Sequence, residues 1–273
     1  MMDQTSQTHS AIRSDTHGKF IWCELMTTDT DAGGRFYAEV VGWKVREMQM
    51  PGMSYYLFGM GEGDNCPGVG GMMNFPPELE GKIPPNWTGY VAVDDVDATA
   101  RQFSELGGRI QREPEDIPEI GRFAVVADPH GAVICIMTPI PPKDPPPELA
   151  PNAAGNVGWH ELYAGDGEEA FSFYETVFGW TLSRAVDMGP MGTYRVFAHA
   201  GQDIGGMMTR PPGVPVACWV YYFNIDAIDA AVGRIEAAGG KVANGPMEVP
   251  GGSFVVQATD PQGAFFCLVA PKR

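Results

Sequence analysis

Two glutamates in apolar stretches are the side chains of this sequence best suited to proton transfer. Each stands two residues after a tryptophan, at Glu24 and Glu161. A carboxyl group that faces Trp and Met side chains either resists ionisation or finds a donor, and such a group suits acid–base catalysis. A structural ion pair is the alternative role for each. Strand alternation places three side chains of each stretch on one face: Trp22, Glu24 and Met26 in the first, and Trp159, Glu161 and Tyr163 in the second.

Two cysteines near the ends of the two halves could supply thiol chemistry. A thiol needs a cationic or imidazole neighbour to become a nucleophile, and the sequence shows none beside Cys135 or Cys267. A small buried apolar side chain is therefore the favoured interpretation of both. The chain has five cysteines and no Cys-x-x-Cys pair, which predicts reduced thiols and no disulfide framework.

Charge and motif content exclude several classes of function. Lys and Arg number 18 against 34 Asp and Glu, a formal net charge of -16, so we expect neither a nucleic acid nor a membrane partner. No apolar stretch has the length of a membrane span, and the first 17 residues are polar, which together predict a cytoplasmic protein. Phosphate-binding loops, serine-hydrolase elbows and the zinc-protease motif are absent from the sequence.

The elements that position these residues are encoded twice. Phe20-Ile-Trp-Cys-Glu-Leu returns as Val157-Gly-Trp-His-Glu-Leu, and Asp128-Pro-His-Gly-Ala returns as Asp260-Pro-Gln-Gly-Ala. Phe-Tyr, Gly-Trp, Gly-Gly-Met-Met and Gly-Gly pairs recur between them in the same order. This order indicates a tandem duplication of a whole domain. The predicted segments are a disordered tail over 1–17, domain 1 over 18–140, a proline-rich linker over 141–155 and domain 2 over 156–273.

Within each copy the pattern strand, helix, three strands occurs twice. The first strand is predicted at 20–27 or 157–164, and a helix through the Phe-Tyr pair ends at Gly42 or Gly179. The second half of each copy repeats this order, with an amphipathic helix stopped by Gly-Gly. The fold class predicted is α+β, built from four βαβββ units.

Together, these motifs resemble the vicinal oxygen chelate superfamily, which contains glyoxalase I, bleomycin-resistance proteins and extradiol dioxygenases. The closest likeness is to tandem glyoxalase-like proteins of actinobacterial type that are named as glyoxylases or hydroxylases. The resemblance covers nearly all of the chain outside the tail and the linker. It implies two glyoxalase-like domains with curved mixed sheets, each enclosing a hollow that binds a small molecule.

The resemblance also implies where a divalent metal would be held, and this chain departs from it there. The expected ligand positions carry side chains that are not the usual His, Gln or Glu ligands, in both copies. We therefore predict no metal and no other cofactor. A register error of one residue would bring His160 into the second hollow and is the alternative considered. The positions concerned are Trp22, Thr88, Cys135 and Gly71-Met72 in the first copy, and Trp159, Val220, Cys267 and Gly206-Met207 in the second.

The implied site places the tryptophans at vacated ligand positions, so Glu24 and Glu161 face inward as acid–base candidates. An aromatic lining suits a flat or apolar organic ligand, although core packing is the alternative for any one ring. The predicted ligand-binding residues are Trp22, Trp159, Tyr163, Trp87, Trp219, Cys135 and Cys267.

Three functions stay open from sequence. They are a metal-independent enzyme of lyase or isomerase type, a drug-binding or sequestration module, and a metal-dependent lyase or dioxygenase. The units could pair within a domain or exchange between domains, and the chain could be a monomer or a homodimer.

Overall fold

A computed structural model describes residues 13–50, 53–61, 67–145, 147 and 149–273. The described chain contains two eight-stranded mixed sheets, one for each copy of the repeat. The elements of the first copy are β1 (Phe20–Thr27), α1 (Thr30–Val40), β2 (Lys44–Met50), β3 (Met53–Gly59), β4 (Gly68–Asn74), β5 (Asn86–Ala92), α2 (Val96–Glu105), β6 (Arg109–Ile117), β7 (Gly121–Ala127) and β8 (Val133–Pro139).

The second copy has the same elements in the same order, with one short 3₁₀ turn at Gly189–Met191 before its third strand. They are β9 (Val157–Ala164), α3 (Gly167–Phe178), β10 (Thr181–Asp187), β11 (Thr193–His199), β12 (Gln202–Thr209), β13 (Cys218–Asn224), α4 (Ile228–Ala237), β14 (Lys241–Glu248), β15 (Phe254–Thr259) and β16 (Phe265–Ala270). The α+β fold of four βαβββ units is confirmed.

Strand order shows how the units pair. The first sheet runs β2-β3-β4-β1-β5-β8-β7-β6, and the second repeats this order with β10-β11-β12-β9-β13-β16-β15-β14. Antiparallel contact between β1 and β5 joins two units, while β1 with β4 and β5 with β8 are parallel. Both units of each sheet come from the same copy, so pairing is local and not exchanged. Glu24 thus shares a sheet with Cys135.

The helices start where short acidic side chains can cap them. Asp29, Asp95 and Asp166 each accept a hydrogen bond from a backbone amide of the first turn. This satisfies amides that have no partner within the helix. Helix α3 ends at Gly179, whose φ of 73° is the left-handed conformation that glycine adopts without a Cβ clash.

The helix-covered faces of the two sheets pack against each other, and their buried side chains form one continuous apolar cluster. Helix α1 packs on α4, and α2 packs on α3. Each interface contains a buried phenol–carboxyl contact: Tyr37 donates to Asp260 Oδ2 at 3.2 Å, and Tyr174 donates to Asp128 Oδ2 at 3.3 Å. The repeated Phe-Tyr and Asp-Pro-x-Gly-Ala motifs therefore hold the domains together.

The segments that precede the two first strands dock reciprocally on the opposite domain. Trp43 Nε1 donates to the carbonyl oxygen of Gly155 at 2.7 Å, and Trp180 Nε1 donates to that of Gly18 at the same distance. The Gly-Trp motif thus supplies one buried indole to each contact, and residue 155 of the predicted linker is fixed by it.

The predicted disordered tail extends too far at its end. Residues 13–17 form hydrogen bonds, including one from Arg13 Nη2 to the Thr176 carbonyl at 2.7 Å and one between His17 Nε2 and the Val177 carbonyl at 3.0 Å. They are ordered because they bind the end of α3, a long-range contact that local composition cannot show. Residues 1–12 lie outside the described residues.

Among the described helices, none combines the length and the apolarity that crossing a bilayer requires.

Candidate functional site

The first candidate site is centred on Glu24, on the sheet face opposite the domain interface. We call this face hollow 1, defined by Trp22, Glu24, Tyr55, Tyr90 and Cys135. Tyr55 donates a hydrogen bond to Glu24 Oε2 at 2.9 Å, and Tyr90 donates to Oε1 at 3.0 Å. Trp22 Nε1 donates to the Tyr55 oxygen at 3.0 Å. Both carboxyl oxygens are thus held by phenols, and one phenol is tied to an indole.

Strand register brings these groups together. Trp22 lies opposite Tyr90 on β5, and Glu24 lies beside Gly71 on β4. A Cβ at Gly71 would overlap the Tyr55 hydroxyl, so only glycine lets this ring cross β4 to reach Glu24. At the first Gly-Gly-Met-Met motif, the second glycine therefore makes room for a functional side chain.

The second copy builds the equivalent site, hollow 2, around Glu161. Tyr222 donates to Glu161 Oε2 at 2.7 Å, and Trp159 Nε1 donates to the Tyr194 oxygen at 2.9 Å. A Cβ at Gly206 would overlap the Tyr194 ring, as at Gly71 in the first copy. Hollow 2 is defined by Trp159, Glu161, Tyr163, Tyr194, Tyr222, Gln257 and Cys267.

Burial changes the protonation of both glutamates. It raises the pKa of Glu24, while hydrogen bonds from Tyr55 and Tyr90 and the charge of Arg112 act in the opposite direction. It also raises the pKa of Glu161, opposed by hydrogen bonds from Tyr222, Tyr194 and Tyr163. Desolvation is the larger effect in both, so each carboxyl holds its proton to a higher pH than a solvated glutamate does. Each can act as an acid or as a base.

The thiols of the hollows are poor nucleophiles. Cys135 and Cys267 are buried on β8 and β16, the last strand of each copy along the chain, in the apolar clusters of hollow 1 and hollow 2. Burial raises the pKa of both thiols, and the charges of Glu24 and Glu161 raise them further. A third thiol, Cys218, lies opposite Tyr163, and burial raises its pKa to about 11. These groups line the hollows as neutral side chains.

Two of the predicted ligand-binding tryptophans do not lie in a hollow. Trp87 and Trp219 belong to the interface cluster, where their Nε1 atoms donate to Tyr37 at 2.8 Å and to Tyr174 at 3.2 Å. Strand alternation explains this placement: Trp87 and Tyr90 are three positions apart on β5 and face opposite sides of the sheet. Tyr90 and its equivalent Tyr222 take the hollow positions instead.

His160, which a register error of one residue would have brought into hollow 2, makes other contacts, and so do His130 and His199. His160 packs at the interface, where its ring stacks on Phe20 with centroids 3.7 Å apart and its Nδ1 lies 2.8 Å from the Ile204 carbonyl. Burial lowers the pKa of His160 to about 4. His130 pairs with Glu169 at 3.1 Å, and His199 Nε2 lies 3.0 Å from the His17 carbonyl. The sheet register therefore places Glu161, and not His160, in hollow 2.

The residues of the hollows do not fit the divalent metal that the superfamily implies. Hollow 1 offers two possible metal donors. One is the Glu24 carboxyl, whose oxygens already accept hydrogen bonds from two phenols, and the other is the buried Cys135 thiol, whose pKa is raised. A catalytic zinc-type site needs three converging protein ligands and an open position. Nowhere in the described parts of the chain do three His, Cys, Asp or Glu side chains come together in a way that could hold a metal ion.

Another cleft lies at the junction of the two domains. His130 and Glu169 pair across it, and Asp166 is occupied in capping α3. Its polar groups are thus used by the fold. The hollows hold the carboxyl of Glu161, which is buried, and that of Glu24, which is half-buried, and we regard them as the candidate sites.

Apart from Tyr163, the tyrosines that bind the glutamates were not among the predicted site residues. Tyr55 and Tyr194 come from the third strand of each copy, and Tyr90 and Tyr222 from the fifth. Alternation starting from the Trp–Glu strand would have indicated the fifth-strand pair, because Trp22 faces Tyr90 in register. No local pattern marks Tyr55, since its reach depends on a glycine one strand away.

Comparison with known proteins places this geometry in a family. The family model for the Glyoxalase/Bleomycin resistance protein/Dioxygenase superfamily matches residues 19–136 and 156–268, one copy of the repeat each. A similar protein is "Putative glyoxylase CFP32" of Mycobacterium tuberculosis, 34% identical over 253 residues that cover 92% of this chain and 94% of the relative. "Anthracycline biosynthesis protein DauV" of a Streptomyces species is 30% identical over 259 residues and 91% of each chain.

Solved structures share the fold at low identity. The Mn(II)-bound glyoxalase from Novosphingobium aromaticivorans superposes with a TM-score of 0.61 at 16% identity, covering 95% of this chain and 83% of that one. The 2,3-dioxygenase LapB from Pseudomonas sp. KL28 gives a TM-score of 0.63 at 15% identity over 93% of both chains. Since the family model matches both copies and relatives match over nine-tenths of the chain, this protein belongs to the glyoxalase/bleomycin resistance protein/dioxygenase superfamily.

Proposed function

We propose that each hollow binds a small aromatic organic molecule and that Glu24 and Glu161 exchange a proton with it, without a metal ion. The observation that carries this proposal is the carboxyl of Glu24, bonded to two phenols at 2.9 and 3.0 Å in an apolar, aromatic hollow. Burying a carboxyl costs free energy that an apolar side chain would avoid. A function in proton transfer explains why both copies keep one.

The chemistry supported is acid–base chemistry on a carbonyl or phenol-type ligand. A protonated Glu24 donates its proton to a ligand oxygen, and the resulting carboxylate takes a proton from an acidic O–H or C–H group. Tyr55 and Tyr90 stabilise the carboxylate between these steps because they donate to both of its oxygens. Proton transfer alone balances an isomerisation; in a lyase reaction the carboxylate would take the proton, a bond to the leaving group would break to form the double bond, and the protonated carboxyl would return the proton to the leaving group.

The relatives support an aromatic ligand. DauV is named for anthracycline biosynthesis, and the homologous hollow of this chain carries Trp22 and Tyr90 beside its carboxyl. Flat rings stack on such side chains.

Binding without chemistry is the second candidate, in the manner of a drug-sequestering protein. It is favoured by the complete hydrogen bonding of Glu24, which leaves the carboxyl well satisfied within the protein itself. In this case the glutamate fixes the two phenols, and the aromatic walls bind the ligand.

Substitution of the glutamates tests the proposal. Hydroxynaphthoquinones and hydroxyanthraquinones serve as probes, binding is followed by tryptophan fluorescence, and the recovered probe is analysed by mass spectrometry and NMR. Glu24→Gln and Glu161→Gln keep the shape but abolish proton transfer, whereas Glu39→Gln and Glu168→Gln remove charges that lie on helices. Loss of conversion in the first pair alone supports acid–base catalysis. Unaltered probe with retained binding supports sequestration.

Metal content is the sharpest independent test. Elemental analysis of protein purified without chelator is expected to show substoichiometric Mn, Fe, Ni and Zn. One metal ion per hollow, removed together with activity by a chelator, would overturn the metal-free proposal.

We also propose that the chain acts as a monomer in a reducing cytoplasm. The two domains already bury complementary faces on each other within one chain, and the four cysteines of the described segments are free thiols. Light scattering tests the first point: the mass of one 29.5 kDa chain supports it, and twice that mass contradicts it.

A further inference from the structure

The two hollows differ at their rims, although their centres are alike. Position 112 on β6 lies opposite Val125, and the equivalent position 244 on β14 lies opposite Gln257. The first copy has an arginine at this position and the second an asparagine. A cation therefore stands at the rim of hollow 1 where hollow 2 has a neutral amide.

Arg112 is placed to act on a ligand in hollow 1. Its Cζ lies 5.1 Å from the centroid of the Phe123 ring, and Phe123 packs in the same apolar cluster as Tyr90 and Cys135. Burial raises the pKa of Glu24 and of Cys135, and the charge of Arg112 acts against this rise at both groups, so its influence reaches the interior. Its partner in the free protein is Glu115, at 2.5 Å.

The pairing of Arg112 with Glu115 is easily exchanged. The two side chains are 49% and 45% exposed, and exposed ion pairs contribute little net stability. A guanidinium binds a carboxylate through two parallel hydrogen bonds, and its planar face also packs on aromatic rings. A flat ligand with an anionic group can thus place its ring near Phe123 and its charge at Arg112.

Hollow 2 offers neutral polar groups instead. Gln257 Nε2 donates to the Tyr163 oxygen at 2.9 Å and to the Tyr222 oxygen at 3.4 Å, and Asn244 Nδ2 donates to Gln257 Oε1 at 3.3 Å. Among the described residues, Arg210 is a cation near this hollow: its charge acts on Cys218, and its Nη1 donates to the Val214 carbonyl. Glu161 itself is opposed only by hydrogen bonds from phenols, whereas Arg112 acts directly on Glu24. An anion beside Glu161 would therefore be desolvated without a cation acting at that carboxyl.

From these differences we propose that the hollows select different ligands: hollow 1 an aromatic molecule carrying a carboxylate or similar anionic group, and hollow 2 a neutral oxygenated aromatic molecule. The inference rests on the proposed binding function and adds the ligand class of each hollow. It also explains why the duplicated domains keep the same carboxyl but differ around it.

Titration calorimetry with matched probes tests this selection. The probes are 2-naphthoate, which is anionic at pH 7, and 2-naphthamide, which has the same ring system and no charge. The variants are Arg112→Asn, which gives hollow 1 the residue of hollow 2, and Asn244→Arg, which does the reverse. Arg109→Asn is the control, because it removes the same charge from an exposed site on the same strand.

We expect the unaltered protein and the control to bind one 2-naphthoate per chain. Arg112→Asn should weaken that binding by about tenfold or more, the usual effect of losing a charge-assisted contact, without changing 2-naphthamide binding. Asn244→Arg should add a second 2-naphthoate site. Equal 2-naphthoate affinity in Arg112→Asn and the control would overturn the inference while leaving the binding function intact. Failure of both probes to bind the unaltered protein would overturn both.

Discussion

The indole of Trp22 and the carboxyl of Glu24 are bridged by one phenol, because Tyr55 accepts from Nε1 at 3.0 Å and donates to Oε2 at 2.9 Å. The second copy repeats the indole–phenol contact between Trp159 and Tyr194 at 2.9 Å. The two-residue spacing of Trp22 and Glu24 puts both side chains on one face of β1. The bridging Tyr55 comes from β3, which lies two strands away in the sheet. The site is thus a property of the sheet and not of a local motif.

Removing this bridge is expected to change the acidity of Glu24. Tyr55→Phe deletes a hydrogen bond that favours the charged carboxylate, so the pKa of Glu24 should move further upward. Carbon-detected NMR of labelled glutamate measures it. Tyr56→Phe is the matched control, since Tyr56 is the next residue on β3 and packs against the interface cluster instead. An unchanged titration in Tyr55→Phe would contradict the bridge.

Glu161→Gln is expected to stabilise the protein at neutral pH. Burial raises the pKa of Glu161, so the favourable contribution of its protonated form is present below the unfolded pKa and is lost as pH rises through the folded pKa. Each unit of upward shift corresponds to about 1.4 kcal/mol of lost stability above that range. Glutamine removes the ionisation and keeps an acceptor for Tyr222.

Urea unfolding at pH 4 and pH 8 measures this effect. The free energy of unfolding of Glu161→Gln should exceed that of the unaltered protein at pH 8 and approach it at pH 4. Equal free energies of unfolding for Glu161→Gln and the unaltered protein at both pH values would contradict the raised pKa of Glu161. A loss of stability at pH 8 would mean that Glu161 is a structural anchor, and the acid–base role would lose its support.

His160 is expected to make folding sensitive to acid. Its pKa is lowered from 6.5 to about 4, so the folded state resists protonation that the unfolded state accepts. Stability is therefore full above pH 6.5 and falls as pH drops toward 4, by about 3 kcal/mol over that range. His160→Asn should flatten the pH dependence of the unfolding free energy. A slope in His160→Asn equal to that of the unaltered protein would refute the assignment.

Much of the fold could be predicted from the sequence because it depends on periodic patterns. The strands Phe20–Thr27 and Val157–Ala164 follow from their apolar patterns and the helix end at Gly179 from its glycine, and the structure has them at those positions. Tandem motifs likewise indicated two domains. What these motifs do could not be predicted, because Tyr37 and Asp260 are 223 residues apart and meet only across the interface.

Only part of the candidate site could be predicted from the sequence, for the same reason. Glu24 and Glu161 were identified because their own strands mark them. Their phenol partners come from other strands, and Trp87 was misplaced because alternation was not applied along β5. The position of Arg112 could not be predicted, because it depends on a bulged pairing of β6 with β7 that the local sequence does not encode.

The buried phenol–carboxyl contacts are expected to hold the domains together to a similar extent. Tyr37→Phe leaves Asp260 without its interface donor, and Tyr174→Phe does the same for Asp128, so each should lower the unfolding free energy by about 1–3 kcal/mol. Burial already raises the pKa of both carboxyls. Tyr56→Phe is again the control, and measurement is by urea unfolding.

Glycines beneath the hollow tyrosines are expected to be intolerant of substitution. Gly71→Ala places a Cβ against the Tyr55 hydroxyl and Gly206→Ala places one against the Tyr194 ring, so the phenol must leave its position. Overpacking of this kind costs about 1–3 kcal/mol. Near-ultraviolet circular dichroism should also change, because the indole loses its phenol partner. Gly213→Ala is the control, since a Cβ there meets nothing within 4 Å. Gly71→Ala with the stability and spectrum of Gly213→Ala would show that the glycine serves only the curvature of the strand.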